Sequence, residues 1–151
     1  MRDPLAEKLD HALAPGRVEV EHEGRRAVAE VEGADRFGVQ VRSLEVRRAA
    51  PLPLGEAVGA LPDALRALPE RIVPVEVAPA LGGAVLRSDP RDMREREFFE
   101  VRTDGTETSL RRLRAGREGR EELPFTLTRD QLGRIVEGSS AFAVGARARR
   151  P

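Results

Sequence analysis

Arginine side chains cluster in the stretch EFFEVRTDGTETSLRRLRAGREGR, in the second half of the chain. Guanidinium groups bind phosphate oxygens through paired hydrogen bonds, so a stripe of arginines is one way to follow a nucleic-acid backbone. The candidate phosphate contacts in this stretch are Arg102, Arg111, Arg112, Arg114, Arg117 and Arg120. Arg147, Arg149 and Arg150, near the end of the sequence, would extend the stripe.

Acidic residues are interleaved with these arginines, which favours a second interpretation. The acidic neighbours are Glu97, Glu100, Glu107 and Glu118. Ion pairs with them would leave an ordinary solvated face, and the chain has no Tyr or Trp on which bases could stack. Phe98 would be an exposed stacking residue under the nucleic-acid interpretation, whereas the structural interpretation buries it against Leu113. We favour the ion-paired face and keep single-stranded nucleic-acid binding as the alternative.

Residue types that support nucleophilic or metal chemistry are scarce. The chain has no Cys, no Tyr and two His, and it lacks a Gly-x-Ser-x-Gly motif and a phosphate-binding glycine loop. Glu19, Glu21 and Glu23 form a carboxylate row beside His22, but alternate strand residues stand roughly 6.5 to 7 Å apart, too far for one metal ion. We therefore predict no catalytic residue, no metal and no cofactor, and thus a protein that is not an enzyme.

A carboxylate pair for acid–base catalysis is the remaining catalytic alternative. Its candidate members are Glu97, Glu100, Glu121 and Glu122. Each of them has an arginine close by in the sequence, so surface ion pairs are the favoured interpretation.

Length and composition limit the class of protein. A chain of 151 residues has the length of one domain with a substantial core. Its 26 basic and 26 acidic residues cancel, so no net charge draws it to nucleic acid or to an anionic membrane. No apolar run approaches the length of a membrane span, and the first residues lack the apolar core of a signal peptide. We expect one cytoplasmic domain over residues 1–145 and a basic disordered tail over residues 146–151.

The arginine stretch contains a predicted β-hairpin. Asp104-Gly105 is a preferred pair for a two-residue type I′ turn between EFFEVRT and TETSLRRL. This turn would place Thr103 opposite Thr106 and Arg102 opposite Glu107. By the same register the remaining pairs are Val101 with Thr108, Glu100 with Ser109, Phe99 with Leu110, and Glu97 with Arg112. The apolar residues of both strands then share one face, which supports the hairpin. The following segment, RAGREGREE, is expected to be a mobile polar loop.

Two helices carry clear signals at their ends. Thr128 is an N-cap with Gln131 as its capping-box partner, and Gly138 is placed to end that helix. Its predicted buried stripe consists of Leu132, Ile135 and Val136. Asp3-Pro4 similarly begins a first helix, as N-cap and first helical residue.

The segments between these helices alternate strand and helix patterns. A hairpin turns at Glu23-Gly24, and a later strand changes apolar phase near Arg42-Ser43, which indicates either a β-bulge or burial of both faces. Residues 51–69 have helical spacing, but Pro62 predicts one kinked helix or two short ones. Pro74 places the strand that contains it at an edge of the sheet or shortens it.

These elements predict an α+β fold. We expect a mainly antiparallel sheet of about six to seven strands, with helices at the N-terminus, the middle and the C-terminus packed on it. The opening order of helix, three strands and helix is similar to that of small dimeric secretion chaperones. The hairpin, basic loop and capped terminal helix resemble single-strand-binding coactivator domains. Both similarities lie in element order, so no residue role is transferred from either family.

The leading functional prediction is a protein-binding or adaptor domain of chaperone-like character. Its partner would be another protein or a second copy of the chain, bound at a sheet face, a sheet edge or the apolar end of the terminal helix. The motivation is that apolar residues occur on both phases of two strands, more than a one-sided sheet needs. Single-stranded nucleic-acid binding through the arginines is the alternative, and an enzyme is the least favoured class.

Overall fold

The computed structural model describes residues 2–141, so the whole predicted tail, with Arg147, Arg149 and Arg150, lies outside the described residues. Three α-helices are present in this range, α1 (Pro4–Ala12), α2 (Leu54–Ala64) and α3 (Arg129–Ala141), together with one 3-10 turn over Pro79–Leu81. The first strands are β1 (Gly16–His22), β2 (Arg25–Ala34), β3 (Gly38–Arg47), β4 (Ile72–Ala78) and β5 (Gly83–Ser88). The later strands are β6 (Glu97–Thr103), β7 (Glu107–Gly116), β8 (Gly119–Leu123) and β9 (Phe125–Thr128).

The strands form one antiparallel sheet in the order β1-β2-β3-β7-β6-β5-β4. β8 pairs with the distal part of β7, and β9 pairs with the part of β3 that β7 leaves open. The predicted α+β class with helices at both ends and in the middle is confirmed. The described residues contain nine strands rather than six to seven, because β8 and β9 form in a segment for which no strand was predicted.

The three helices cover one face of this sheet and bury its core. Leu9, Leu61 and Ile135, one from each helix, belong to a single buried cluster with residues of the sheet such as Leu44 and Val101. Each fully buried leucine or isoleucine of this kind contributes roughly 1.5 to 3 kcal/mol relative to an exposed one. The predicted stripe of α3 is buried, as the sequence indicated.

A β-bulge explains the change of apolar phase in β3. Glu30 pairs with Ser43 while Val31 pairs with Val41, so Arg42 is an extra residue on β3. The extra residue turns the strand, and the valines and leucine on both sides of it all enter the same core. The predicted bulge is confirmed. The inference that these residues mark a second apolar face is wrong, because the bulge brings them to one face.

The predicted starts of α1 and α3 are confirmed. Asp3 accepts a hydrogen bond from the Ala6 N–H at 3.1 Å. The backbone N–H of Thr128 donates to the side chain of Gln131 at 2.8 Å, and the backbone N–H of Gln131 donates to the side chain of Thr128 at 3.0 Å. These bonds satisfy N–H groups that have no partner inside the helix.

The predicted end of α3 at Gly138 is wrong, since the helix runs to Ala141. The hydroxyl of Ser139 donates a hydrogen bond to the carbonyl of Ile135, and the hydroxyl of Ser140 donates one to the carbonyl of Val136. Such bonds to the carbonyl four residues earlier are typical of serines inside a helix. A Cβ atom on Gly138 would lie 2.5 Å from the carbonyl oxygen of Ala64. Glycine at this position therefore allows α3 to approach the end of α2.

Pro62 does not divide its helix in two, and Pro74 lies on an edge strand. Pro62 lies inside α2, which is a single helix that ends two residues later at Ala64. Pro74 lies in β4, the last strand of the sheet, so its missing N–H costs no inner hydrogen bond.

The hairpin of β6 and β7 is present, but its predicted register is wrong by two residues. Thr103 pairs with Thr108, not with Thr106, and Glu100 pairs with Arg111. Asp104 does not adopt positive φ. Its Oδ1 instead accepts hydrogen bonds from the N–H groups of Thr106 and Glu107, both at 2.8 Å, and Gly105 takes φ +94°. Asp104 is thus the first residue of a side-chain-capped turn, which moves the turn centre to Gly105-Thr106. A shift of two preserves the predicted faces.

The segment expected to be a mobile loop after this hairpin is a second hairpin. β7 continues to Gly116 and pairs with β8, so that Gly116 lies opposite Gly119 and Arg114 opposite Glu121. Gly119 has φ +114°, a conformation that glycine adopts easily. Opposite charges across the two strands are the signal that favours pairing over a loop.

Candidate functional site

The face of the sheet opposite the helices is the candidate functional surface, and we call it the uncovered face. None of the three α-helices of residues 2–141 packs against it, because all three contribute to the core on the other side. Residues that alternate with the core positions point to this face. The strand register aligns one row of them across six strands: Val28, Glu45, Ser109, Arg102, Val85 and Glu76.

A groove of about 460 Å³ crosses the uncovered face along this row. Val28, Ala78, Leu81 and Val85 supply its apolar surface. Leu81, in the turn after β4, is 85% exposed, so it presents an apolar side chain to solvent at the wall of the groove. The groove therefore has apolar walls that are open to a ligand.

Two carboxylates in the groove lack ionic partners among the described residues. Arg47 contacts Glu107 at 3.8 Å, and Arg102 contacts Glu100 at 3.0 Å. These two arginines of the groove therefore have acidic partners. Glu76 lies at one end of the row, and Glu45 lies next to the residue at the other end. Both are exposed and form no ion pair within residues 2–141. These two carboxylates are consequently available to basic side chains of a ligand.

A buried carboxylate, Glu100, organises the arginines beside the groove. Glu100 is 2% exposed although it points to the uncovered face. Arg102 Nε and Arg111 Nη2 donate to its Oε1 at 3.0 and 3.2 Å, and Arg120 Nη1 donates to its Oε2 at 2.7 Å. Three guanidinium groups therefore surround one acid and shield it from water.

The charge of Glu100 is maintained by these contacts. Burial raises the pKa of its carboxyl, but the hydrogen bonds from Arg102 and Arg111 and the nearby charges of Arg102 and Arg120 lower it more. The pKa of Glu100 is consequently below its usual value, and the residue is a carboxylate at neutral pH.

The six predicted arginines do not form one stripe. Arg102, Arg111 and Arg120 meet at Glu100 on the uncovered face, whereas Arg112 and Arg114 point to the helix side. Arg112 contacts Glu70 at 3.2 Å and Arg114 contacts Glu97 at 3.1 Å. Arg117 lies in the turn between β7 and β8 and is exposed.

Arg87 is the arginine beside Glu100 that sequence reasoning missed, and Glu100 itself was predicted as one member of a surface ion pair. Arg87 lies directly opposite Glu100 on β5, and Arg111 lies opposite it on β7. The predicted register had paired Glu100 with Ser109. Capping of the turn by Asp104 is the signal that would have placed Glu100 against Arg111.

The carboxylates considered as a catalytic pair all have arginine partners. Glu97 contacts Arg112 and Arg114, Glu121 contacts Arg114, and Glu122 contacts Arg111. Each therefore has the ion pair that the sequence indicated, but the pairing of Glu100 is buried rather than at the surface.

Phe98 is buried, not exposed. It is 3% exposed and lies opposite Leu113. The guanidinium groups of Arg87 and Arg120 each lie 5.5 Å from its ring centroid. The face of the ring that a base would need is thus next to arginines of the protein itself.

The carboxylate row on β1 offers no metal site. Glu19 contacts Arg26 and Arg17, and no group of three metal-ligating side chains occurs within residues 2–141. None of the helices described here is long and apolar enough to cross a membrane.

The outer edge of β4 is a second open feature. Val75 and Val77 on this strand are 51% and 46% exposed. Pro74 and an irregularity between Pro74 and Glu76 interrupt the strand. The proline and the irregularity both reduce the capacity of this edge strand to pair with another strand.

Comparison with known proteins identifies no relative from which a function could be transferred. The chain matches no protein-family model, no curated protein and no solved structure. The geometry of the uncovered face is therefore the basis for a functional argument.

Proposed function

We propose that this protein is a non-enzymatic protein-binding domain, and that the groove on the uncovered face takes an extended segment of a partner protein. The observation that carries the proposal is the groove itself, with apolar walls open to solvent and an uncovered sheet around it. Contacts that combine apolar anchors with a charged rim are typical of protein interfaces.

The charges of the groove define the chemistry of the partner. Glu45 and Glu76 need basic side chains, and Leu81 and Val85 need apolar ones. We infer that the bound segment carries at least one apolar residue flanked by lysine or arginine. The two acidic sites lie four strand spacings apart, roughly 19 Å, which an extended segment of about six residues spans.

The features of β4 favour another protein over a second copy of this chain. Pairing of two β4 edges around a two-fold axis would meet Pro74 and the neighbouring irregularity, leaving few regular residues for the contact. It would also bring together the two copies of Glu76. The partner we propose is thus a different protein, and light scattering at micromolar concentration should give the monomer mass of 16.6 kDa.

Selection from a displayed library of random peptides, followed by fluorescence anisotropy, tests the proposal. Selected peptides should contain an apolar residue between basic ones. The double variant Glu45→Lys with Glu76→Lys should weaken their binding roughly ten-fold, because two attractions of up to about 1 kcal/mol each become repulsions.

The matched control is Glu56→Lys, which changes an exposed carboxylate on α2, on the helix side. It should leave the affinity unchanged. Peptides that bind the double variant as tightly as the unmodified protein would contradict the proposal, and so would a selection that yields no binder.

The structure does not favour the nucleic-acid alternative. Two of the predicted contacts, Arg112 and Arg114, point to the helix side, and Phe98 is buried. An oligonucleotide titration at low salt addresses this alternative directly, because an electrostatic site has its greatest affinity there.

A further inference from the structure

We propose that the arginines around Glu100 form a binding site for a phosphate monoester. The site, called here the Glu100 cluster, consists of Glu100 with Arg87, Arg102, Arg111 and Arg120. It adjoins the groove, since Arg102 belongs to both, but its argument does not depend on the proposed function.

The arginine donors around Glu100 are held in position. A guanidinium group has five N–H donors, and Arg102, Arg111 and Arg120 each use one for the hydrogen bond to Glu100. Their side chains are 57%, 37% and 41% exposed, so most of the remaining donors face solvent. A ligand would meet groups whose orientation is already fixed, which lowers the entropic cost of binding.

The cluster has a net positive charge. Arg102, Arg111 and Arg120 form ion pairs with Glu100, Arg87 lies opposite it in the sheet, and Glu122 contacts Arg111 at 3.6 Å. Four positive charges against two negative ones leave an excess of two. A phosphate monoester carries roughly −1.5 to −2 at pH 7, which matches this excess.

Arg87 supplies an unused donor. It lies opposite Glu100 in the sheet, and its Nε is buried without a hydrogen-bond partner in residues 2–141. Buried polar atoms usually have a partner, so the unpaired Nε marks Arg87 as a member of the cluster with unused hydrogen-bonding capacity.

The number of terminal oxygens and the charge separate the monoester from other anions. A carboxylate has two oxygens, whereas a phosphate monoester presents three terminal oxygens to arginines that approach from β6, β7 and β8. A nucleic-acid diester carries one charge per phosphate, and its affinity for single strands also draws on stacking, for which buried Phe98 is unsuited.

Titration of the ¹⁵N-labelled protein with inorganic phosphate, at ionic strength held constant with chloride, tests the site. The arginine Nε–H resonances of the cluster should shift and saturate. The double variant Arg102→Gln with Arg120→Gln should weaken binding at least ten-fold. Arg134→Gln, an exposed arginine on α3, is the matched control and should bind like the unmodified protein.

Arg87→Gln is a second variant that leaves all three hydrogen-bond partners of Glu100 in place. The phosphate titration can therefore be performed on this variant if the double variant fails to fold. It should weaken phosphate binding several-fold. Shifts that rise linearly without saturation, or affinities equal in Arg87→Gln and the control, would overturn the proposal.

Two further ligands, a phosphoserine peptide and an oligonucleotide, identify the kind of molecule that carries the phosphate. A phosphoserine peptide that binds much more tightly than inorganic phosphate would assign the site to a phosphorylated protein, and equal affinities would assign it to a small phosphorylated molecule. An oligonucleotide without terminal phosphate that binds as tightly as the monoesters would replace this proposal with diester recognition.

Discussion

At the scale of single residues, Glu100 is the most consequential side chain in the molecule. It is buried, it is charged, and it accepts hydrogen bonds from three arginines. A neutral amide in its place would offer one acceptor oxygen to three cations and leave their repulsion uncompensated.

We predict that Glu100→Gln lowers the free energy of unfolding by roughly 2 to 3 kcal/mol, the scale of a lost hydrogen-bonded charge. Urea denaturation followed by circular dichroism measures this change. Glu56→Gln on α2 is the control, and as an exposed change it should stay within about 0.5 kcal/mol. Equal effects of the two substitutions would show that the arginines do not depend on Glu100.

A second residue-scale prediction concerns acid stability. Asp89 accepts hydrogen bonds from the side chain of Arg91 at 2.7 Å and from its backbone N–H at 3.0 Å, and these contacts lower the pKa of Asp89 to about 2. Because the folded pKa is below the unfolded one, the unfolded chain binds more protons between these values. The contribution of Asp89 to stability is therefore complete above about pH 4 and is lost as the pH falls toward 2.

Urea denaturation at a series of pH values from 5 to 2 should show this loss, with a shallower pH dependence in Asp89→Asn. The pKa of Glu100 is also lowered, so part of the dependence should remain in that variant. An Asp89→Asn profile that parallels the unmodified protein would contradict the assignment.

At the scale of elements, the turn between β6 and β7 connects the sheet to the segment before α2. Gly105 accepts a hydrogen bond at its carbonyl from the Leu52 N–H at 3.0 Å, and a Cβ atom on Gly105 would lie 2.2 Å from the Leu52 carbonyl oxygen. The residue also has positive φ. Glycine is required here on two independent grounds.

Gly105→Ala should therefore lower the free energy of unfolding by roughly 2 to 4 kcal/mol, from backbone strain and the displaced contact together. Thermal unfolding measures it. Gly55→Ala is the matched control, because Gly55 lies in α2 with open space around it and alanine should stabilise the helix by up to about 1 kcal/mol. Loss of stability in both variants would refute the steric explanation.

The elements that sequence reasoning predicted correctly are those that depend on neighbours in the chain. The caps at Asp3 and Thr128 and the bulge at Arg42 are local, and each follows from a few adjacent residues. The hairpin register was wrong because Asp104 had two available roles, and its side-chain hydrogen bonds decide between them. β8 was missed because a charged segment has the composition of a loop until its pairing strand is known.

The candidate site was only partly predictable for the same reason. Three of the six predicted arginines meet, but the acid that gathers them depends on the register of the strand pair. The groove could not be predicted from sequence, since it requires the strand order β2-β3-β7-β6-β5-β4, in which distant segments become neighbours. Long-range pairing is the information that local patterns do not contain.

At the scale of the whole molecule, the sheet is covered on one side and open on the other. The open side combines an apolar groove, two acidic positions and a gathered set of arginines. A sheet that faced only water would be expected to carry dispersed polar side chains, without an open apolar groove or an 85% exposed leucine at its wall. The central claim is consequently that this face binds a partner segment.

The most direct test is a map of the binding surface by nuclear magnetic resonance. A selected peptide is titrated into ¹⁵N-labelled protein, and the amide shifts are placed on the structure. We predict that the shifted residues lie along the groove, from Val28 through Ser109 to Val85 and Leu81, and that α1 and α3 remain unaffected. Shifts confined to the helices, with the groove residues unchanged, would contradict the claim.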